Sequence, residues 1–162
     1  MLSKTLNEAI NEQIKWEFGS AYLYLAMADY FHGRGLSGSA HWMRRQSAEE
    51  LEHAMKFVDY VHERGGRVEL QALEQPQGEY ASPLAVFEAA LAHEREVTQR
   101  INRLSKLASR EADDATQTFL QWFITEQVEE EKSAGEVVEQ LTMAGDNSAA
   151  LLLVDRRLEK RP

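Results

Sequence analysis

The chain contains no cysteine among its 162 residues. That excludes disulfides, thiolate-held metals, iron–sulfur clusters and cysteine nucleophiles together. Proline is nearly as scarce, with only Pro76, Pro83 and Pro162, so two long stretches can propagate helix without a break. Positive charge is in deficit: 18 Lys and Arg face 27 Asp and Glu, for a formal net charge of -9. A basic groove that tracks phosphates is therefore not expected, and neither is a nucleic-acid partner, whereas a cation becomes the favoured ligand. No segment approaches the roughly 18 apolar residues of a membrane span, and Met1 to Glu8 lack a basic stretch followed by an apolar run. The expectation is a cytoplasmic protein with no membrane partner, folded as one domain over residues 1–162.

What is present is helical. The nine glycines gather mainly at 33–38 and 65–78, and the segments between are rich in Ala, Leu, Glu, Gln and Arg, with apolar residues at three- and four-residue steps. This spacing predicts helices near 4–32, 38–64, 83–110 and 114–144, with a short fifth near 147–159. Ser82 before Pro83 marks a helix start, as does Asp113 or Asp114, while Gly65 and Gly145 stand where left-handed stops belong. Four long helices predict an all-α bundle over about 4–144. At roughly 3.3 Å per residue, the connection from Gly65 to Ser82 is long enough to cross the ~40 Å of the second helix. It is expected to do so rather than to form a loose loop.

Each inward stripe is interrupted by polar residues. The first reads Ile10, Ile14, Glu17, Ala21, Tyr24, Ala28 and Phe31; the second reads Met43, Gln46, Glu50, His53 and Phe57. The third carries Glu94 among Phe87, Leu91, Val97, Ile101 and Leu104, and the fourth carries Gln127 and Glu130 among Leu120, Phe123, Ala134, Val137 and Leu141. Their heights can be compared, because positions equidistant from a tight turn between antiparallel helices lie side by side. With the first turn centred near residue 35, Glu17 lies 18 residues before it, and Glu50 and His53 lie 15 and 18 after. With the second near 112, Glu94 lies 18 before, and Gln127 and Glu130 lie 15 and 18 after. Four acids and a histidine thus share one core layer. A buried unpaired carboxylate costs several kcal/mol or loses its charge, so such a layer calls for cations, and two divalent metals suffice. Carboxylates with one imidazole suit iron, manganese or zinc, and carboxylate bridges between adjacent metals permit redox chemistry with oxygen.

In spacing, length and motif these residues resemble the bacterial non-haem ferritins over nearly the whole chain. The resemblance implies a ferritin-like four-helix bundle with a long crossover between helices 2 and 3 and a short fifth helix. It further implies assembly as a hollow 24-subunit homo-oligomer that oxidises Fe(II) with O2 or peroxide and stores ferric mineral. Glu17, Glu50 and His53 would hold one iron and Glu50, Glu94 and Glu130 the second, with Glu50 bridging, Gln127 beside the pair, Tyr24 packed near the centre and Trp122 as a neighbouring aromatic. Glu49, Glu126 and Glu129 would resemble the third iron position of that family. Many di-iron bundles carry Glu-x-x-His on two helices; here the second pair is Gln127 and Glu130, which speaks against a bacterioferritin or a rubrerythrin. Leu51 stands where the related haem-binding family places a methionine, so no haem is expected.

The remaining features are plainer. Glu131 reads as part of a solvated helix face, and His32, His41, His62 and His93 as surface or helix-end histidines without a role. The apolar run Ala149 to Val154 is too short for a membrane and is expected to be buried, packed on its own bundle or, as the resemblance implies, around a fourfold axis of the shell. Two other functions compete with ferroxidase-coupled storage. One is a di-metal carboxylate oxygenase or peroxidase acting on an organic substrate. The other is a scaffold whose core acids are protonated or paired with arginine, although Arg44, Arg45 and Arg95 lie off the stripes.

Overall fold

The apolar spacing resolves into five helices in the computed structural model, which describes all of residues 1–162. They are α1 (Lys4–His32), α2 (Ser37–Glu63), α3 (Pro83–Arg110), α4 (Asp114–Ala144) and α5 (Ser148–Leu158), each within a residue of its expected ends. Starts are set by side-chain oxygens that accept from the otherwise free amides of the first turn. Ser3 accepts from Leu6 N, Ser82 from Ala85 N ahead of Pro83, Asp113 from Thr116 N and Asn147 from Ala150 N. Of the two aspartates considered for the start of α4, Asp113 is thus the cap. Helix α2 has no cap of its own. Asp155 of α5 supplies one, accepting from Gly38 N at 3.0 Å and from Ser39 N and Ser39 Oγ at 2.7 Å each.

Helices α1, α2 and α3 end alike. In each, two amides beyond the last turn fold back onto its carbonyls, Leu36 N to Phe31 O and Gly35 N to His32 O in the first, with the equivalent pairs from Gly66 and Gly65 and from Asp113 and Ala112. This closure needs one left-handed residue. Gly35 (φ 71°) and Gly65 (φ 66°) take that conformation freely, but in α3 the position falls to Ala112 (φ 53°), the one non-glycine residue with positive φ.

Between α2 and α3 the chain follows α1 from end to end, as the length of the connection predicts. Asn7 and Asn11 anchor its start: Asn11 Nδ2 donates to Arg67 O at 2.8 Å and Glu69 N donates to Asn11 Oδ1 at 2.6 Å. Midway, Leu73 to Pro76 border Trp16, Gly19 and Leu23, and near its end Tyr80 meets Tyr30 edge-on at 5.5 Å. Both members of each helix pair, α1 with α2 and α3 with α4, therefore run antiparallel, and the crossover sets the two pairs against each other.

The apolar core is in two parts. One gathers Met27, Phe31, Met43, Phe87, Val137 and Leu141; the other gathers Ile10, Ile14, Phe57, Ile101, Leu120 and Phe123. Between them lies the polar belt expected from the interrupted stripes. Helix α5 closes the first end, burying Asp155 and Leu158 and half-burying Leu151 and Val154. The expectation that the run from Ala149 to Val154 is buried holds for one face only, since Leu152 and Leu153 are 53% and 68% exposed on the single chain. No helix is long and apolar enough to cross a membrane.

Candidate metal centre

The belt is built from all four long helices. Helix α1 contributes Gln13, Glu17 and Tyr24; α2 contributes Gln46, Glu50 and His53; α3 contributes Glu94; and α4 contributes Gln127 and Glu130, none more than 4% exposed. Equal distance from the turn places them: Glu17 and His53, each 18 residues from the α1–α2 turn, lie with Glu17 Oε2 at 3.9 Å from His53 Nδ1. Glu50 Oε2 approaches the same nitrogen at 3.5 Å. One ligand atom from each of Glu17, Glu50 and His53 falls within 4.8 Å of the others, and so does one from each of His53, Glu126 and Glu130.

Amides and one phenol orient the carboxylates. Gln13 Nε2 donates to Glu17 Oε1 at 2.7 Å. Gln46 Nε2 spans the layer, donating to Glu130 Oε2 at 2.6 Å and to Glu50 Oε1 at 3.1 Å. Gln127 Nε2 donates to Glu94 Oε2 at 3.1 Å, and the Tyr24 hydroxyl donates to Glu94 Oε1. One oxygen is left over: Glu17 Oε2 is fully buried with no hydrogen-bond partner.

The electrostatics follow from that crowding. Burial, then the Glu50 charge, pushes Glu17 well above the usual carboxylate range. Burial, then Glu94 and Glu130, does the same to Glu50. Glu94 is also raised by burial, against the lowering effect of its bonds to Tyr24 and Gln127, and Glu130 is pushed up to about 7 by burial and by Glu94. Tyr24 is raised by burial and by Glu94 beside it. Four acids that resist ionisation together are stabilised as carboxylates once divalent cations sit among them. The partnerless Glu17 oxygen, adjacent to His53, is the kind of donor that a metal satisfies. The set of hard oxygens with one imidazole fits Fe(II).

The ferritin-like domain model matches residues 7–144, which is nearly all of the bundle. The chain belongs to the ferritin family. It is 43% identical over 161 residues to the bacterial non-heme ferritin of Bacteroides fragilis (strain 638R), covering 99% of this chain and 100% of that one. It is 40% identical to the bacterial non-heme ferritin of Staphylococcus aureus (strain USA300), covering 99% and 97%. Among solved structures, the open pore ferritin of the archaeon Archaeoglobus fulgidus superposes with a TM-score of 0.99 at 52% identity, covering 100% of this chain and 99% of that one.

In this ferritin the outer residues fare unequally. Trp122, 41% exposed, turns its ring edge-on to His53 at 5.3 Å. Of the three acids expected at a third position, Glu126 joins His53 and Glu130, Glu129 is exposed, and Glu49 is held by Arg161 at 2.6 Å. The three do not form one cluster in this conformation. His93 corrects an expectation: it is no surface histidine but is half-buried, with Nε2 at 2.7 Å from Ser20 Oγ and its ring edge-on to Tyr24 at 5.9 Å. Burial and Arg100 push it down to about 4, so it is neutral at physiological pH. Three contributors went unassigned in the sequence. Gln46 stood on the inward stripe of α2, and that was its signal. Gln13 sits one turn before Glu17, where an amide can reach a ligand carboxylate. Arg161 gave none, because it lies beyond α5 and reaches the centre only through the fold.

Proposed function

We propose that Glu17, Glu50, His53, Glu94 and Glu130 bind two Fe(II) ions as substrate, with Glu50 between them and Gln127 beside the pair. The chain is a ferroxidase coupled to iron storage. Each Fe(II) yields one electron to O2 or peroxide, and the ferric product passes to mineral inside a hollow shell. The observation that carries this reading is the buried Glu17–Glu50–His53 group with its partnerless Glu17 oxygen, in a chain that matches ferritins along its whole length. That full-length likeness also favours storage over a di-metal oxygenase acting on an organic substrate. Tyr24, hydrogen-bonded to Glu94, stands where a proton or an electron can move to or from the centre.

We further propose a cytoplasmic 24-subunit shell in which the exposed Leu152 and Leu153 of neighbouring α5 helices cover one another. The proposal also includes a third iron position drawn from Glu49, Glu126 and Glu129, with Glu130 reaching both. Such an all-oxygen position is weaker than one with an imidazole, so it tunes the turnover that follows the first oxidation. Replacing Glu17, Glu50 or Glu94 by Ala is expected to abolish the fast phase of Fe(II) oxidation while assembly survives. Unchanged initial rates in stopped-flow absorbance for all three variants refute the assignment.

A further inference from the structure

After α5 the chain turns back along α2. His41 Nε2 lies at 2.8 Å from the Arg161 carbonyl oxygen, and Arg45 Nε donates to Pro162 O at 2.7 Å. Between these anchors the Arg161 guanidinium stacks on Trp42 at 4.2 Å and points toward the metal belt. Its Nη2 donates both to Glu49 Oε2 at 2.6 Å and to Gln46 Oε1 at 2.7 Å; its Nη1 donates to Trp42 O at 3.3 Å. These contacts have two consequences. Glu49, the α2 acid beside the bridging Glu50, already has a cation on it. In addition, guanidinium can only donate, so the Arg161 bond fixes which end of the Gln46 amide is the oxygen. The Gln46 NH2 group must then face Glu50 and Glu130, as it does.

We propose that Arg161 is a tethered cation that keeps the third metal position closed, and that a metal ion opens the position by displacing it. The proposal rests on reading Glu49, Glu126 and Glu129 as that position, and it accounts for why the three acids are not gathered here. With Arg161 seated, Glu49 is paired with a cation, while Glu126 groups with His53 and Glu130. When Arg161 leaves, Glu49 is free to turn toward α4. Gln46 loses the donor that fixed its amide, and so its grip on Glu130 relaxes. Filling the third position is thereby linked to the dinuclear pair through one amide, whose oxygen reports on Arg161 and whose nitrogen holds two ligands.

The test is anaerobic titration of the full-length protein with Zn(II), which neither oxidises nor quenches fluorescence by electron transfer. Binding is read by calorimetry and by Trp42 emission in a Trp16→Phe, Trp122→Phe background. Arg161 stacks on Trp42, so its departure changes that emission whether or not iron chemistry follows. In the parent protein the Trp42 change is expected to track the third binding event rather than the first two. In Arg161→Ala the third event is expected to tighten about tenfold, the loss of one charge-assisted contact being of that order, and the emission change to vanish. Arg161→Lys, which keeps the charge but not the fork, should fall between. A third event of equal affinity in parent and Arg161→Ala overturns the proposal while leaving the third position standing. Absence of any third event in both overturns the third position and the proposal with it.

Discussion

Replacing Glu130 by Gln should stabilise the metal-free protein and destabilise the metal-loaded one. Glu130 is 4% exposed and its carboxyl is pushed up to about 7 from an ordinary 4.5. Between those values the folded chain keeps a proton that the unfolded chain has released. The metal-free fold therefore has its full stability below about pH 4.5 and loses part of it as the pH climbs through about 7. That loss is about 3 kcal/mol by the time both states are ionised, at about 1.4 kcal/mol per pH unit. Gln has no charge to bury, and its amide oxygen can still accept from Gln46 Nε2, which now bonds Glu130 at 2.6 Å. At pH 8 the metal-free variant should thus gain about 2–3 kcal/mol, or roughly 5–10 °C in Tm for a chain of this size. At pH 4.5 the gain should disappear. With Zn(II) present the sign reverses, because a ligand to the bound ion is gone and the stabilisation that binding supplies is lost with it. Differential scanning calorimetry of chelated and Zn(II)-loaded samples at pH 4.5 and 8 reads all four cases. A metal-free variant that melts at or below the parent at pH 8 refutes the view that burial of these acids strains the empty centre.

Three further outcomes follow from the fold. Ala112→Gly should stabilise by about 1 kcal/mol, since glycine removes the Cβ penalty of the left-handed position that closes α3; thermal denaturation reads it, and a destabilised variant contradicts the account of that turn. Gly38→Ala should destabilise by about 3 kcal/mol or more and loosen α5, because its Cβ would sit 1.7 Å from the Asp155 carbonyl oxygen; amide exchange in α5 no faster than in the parent counts against it. The native protein should scatter light as a particle many times the mass of one chain, and Leu152→Glu with Leu153→Glu should reduce that mass; a parent that is monomeric at micromolar concentration sinks the shell.

The polar belt shows why so much of this protein is legible in its sequence. A helix repeats every 3.6 residues, so a carboxylate on an apolar stripe is a carboxylate in the core. Two antiparallel helices joined by a short turn convert sequence distance from the turn into height. These two rules place Glu17 beside His53, and bring Glu94 into one layer with Gln127 and Glu130, with no knowledge of the third dimension. The caps at Ser82 and at the Asp113–Asp114 pair were legible for the same local reason, since Ser82 and Asp113 act on amides three residues away.

What the sequence by itself determined is therefore what depends on short spacing: five helices, their ends, and the polar layer with its four acids, His53 and Gln127. The tertiary structure decided everything that joins residues without a fixed spacing. Asp155 caps a helix more than a hundred residues earlier, and Gly38 is required where α5 crosses that helix. His93 lies in a partly buried niche against Ser20 and Tyr24. Arg161 takes Glu49 and fixes the Gln46 amide from beyond α5. Each of these contacts depends on where the crossover and the last turn bring the chain, and no period in the sequence encodes that geometry.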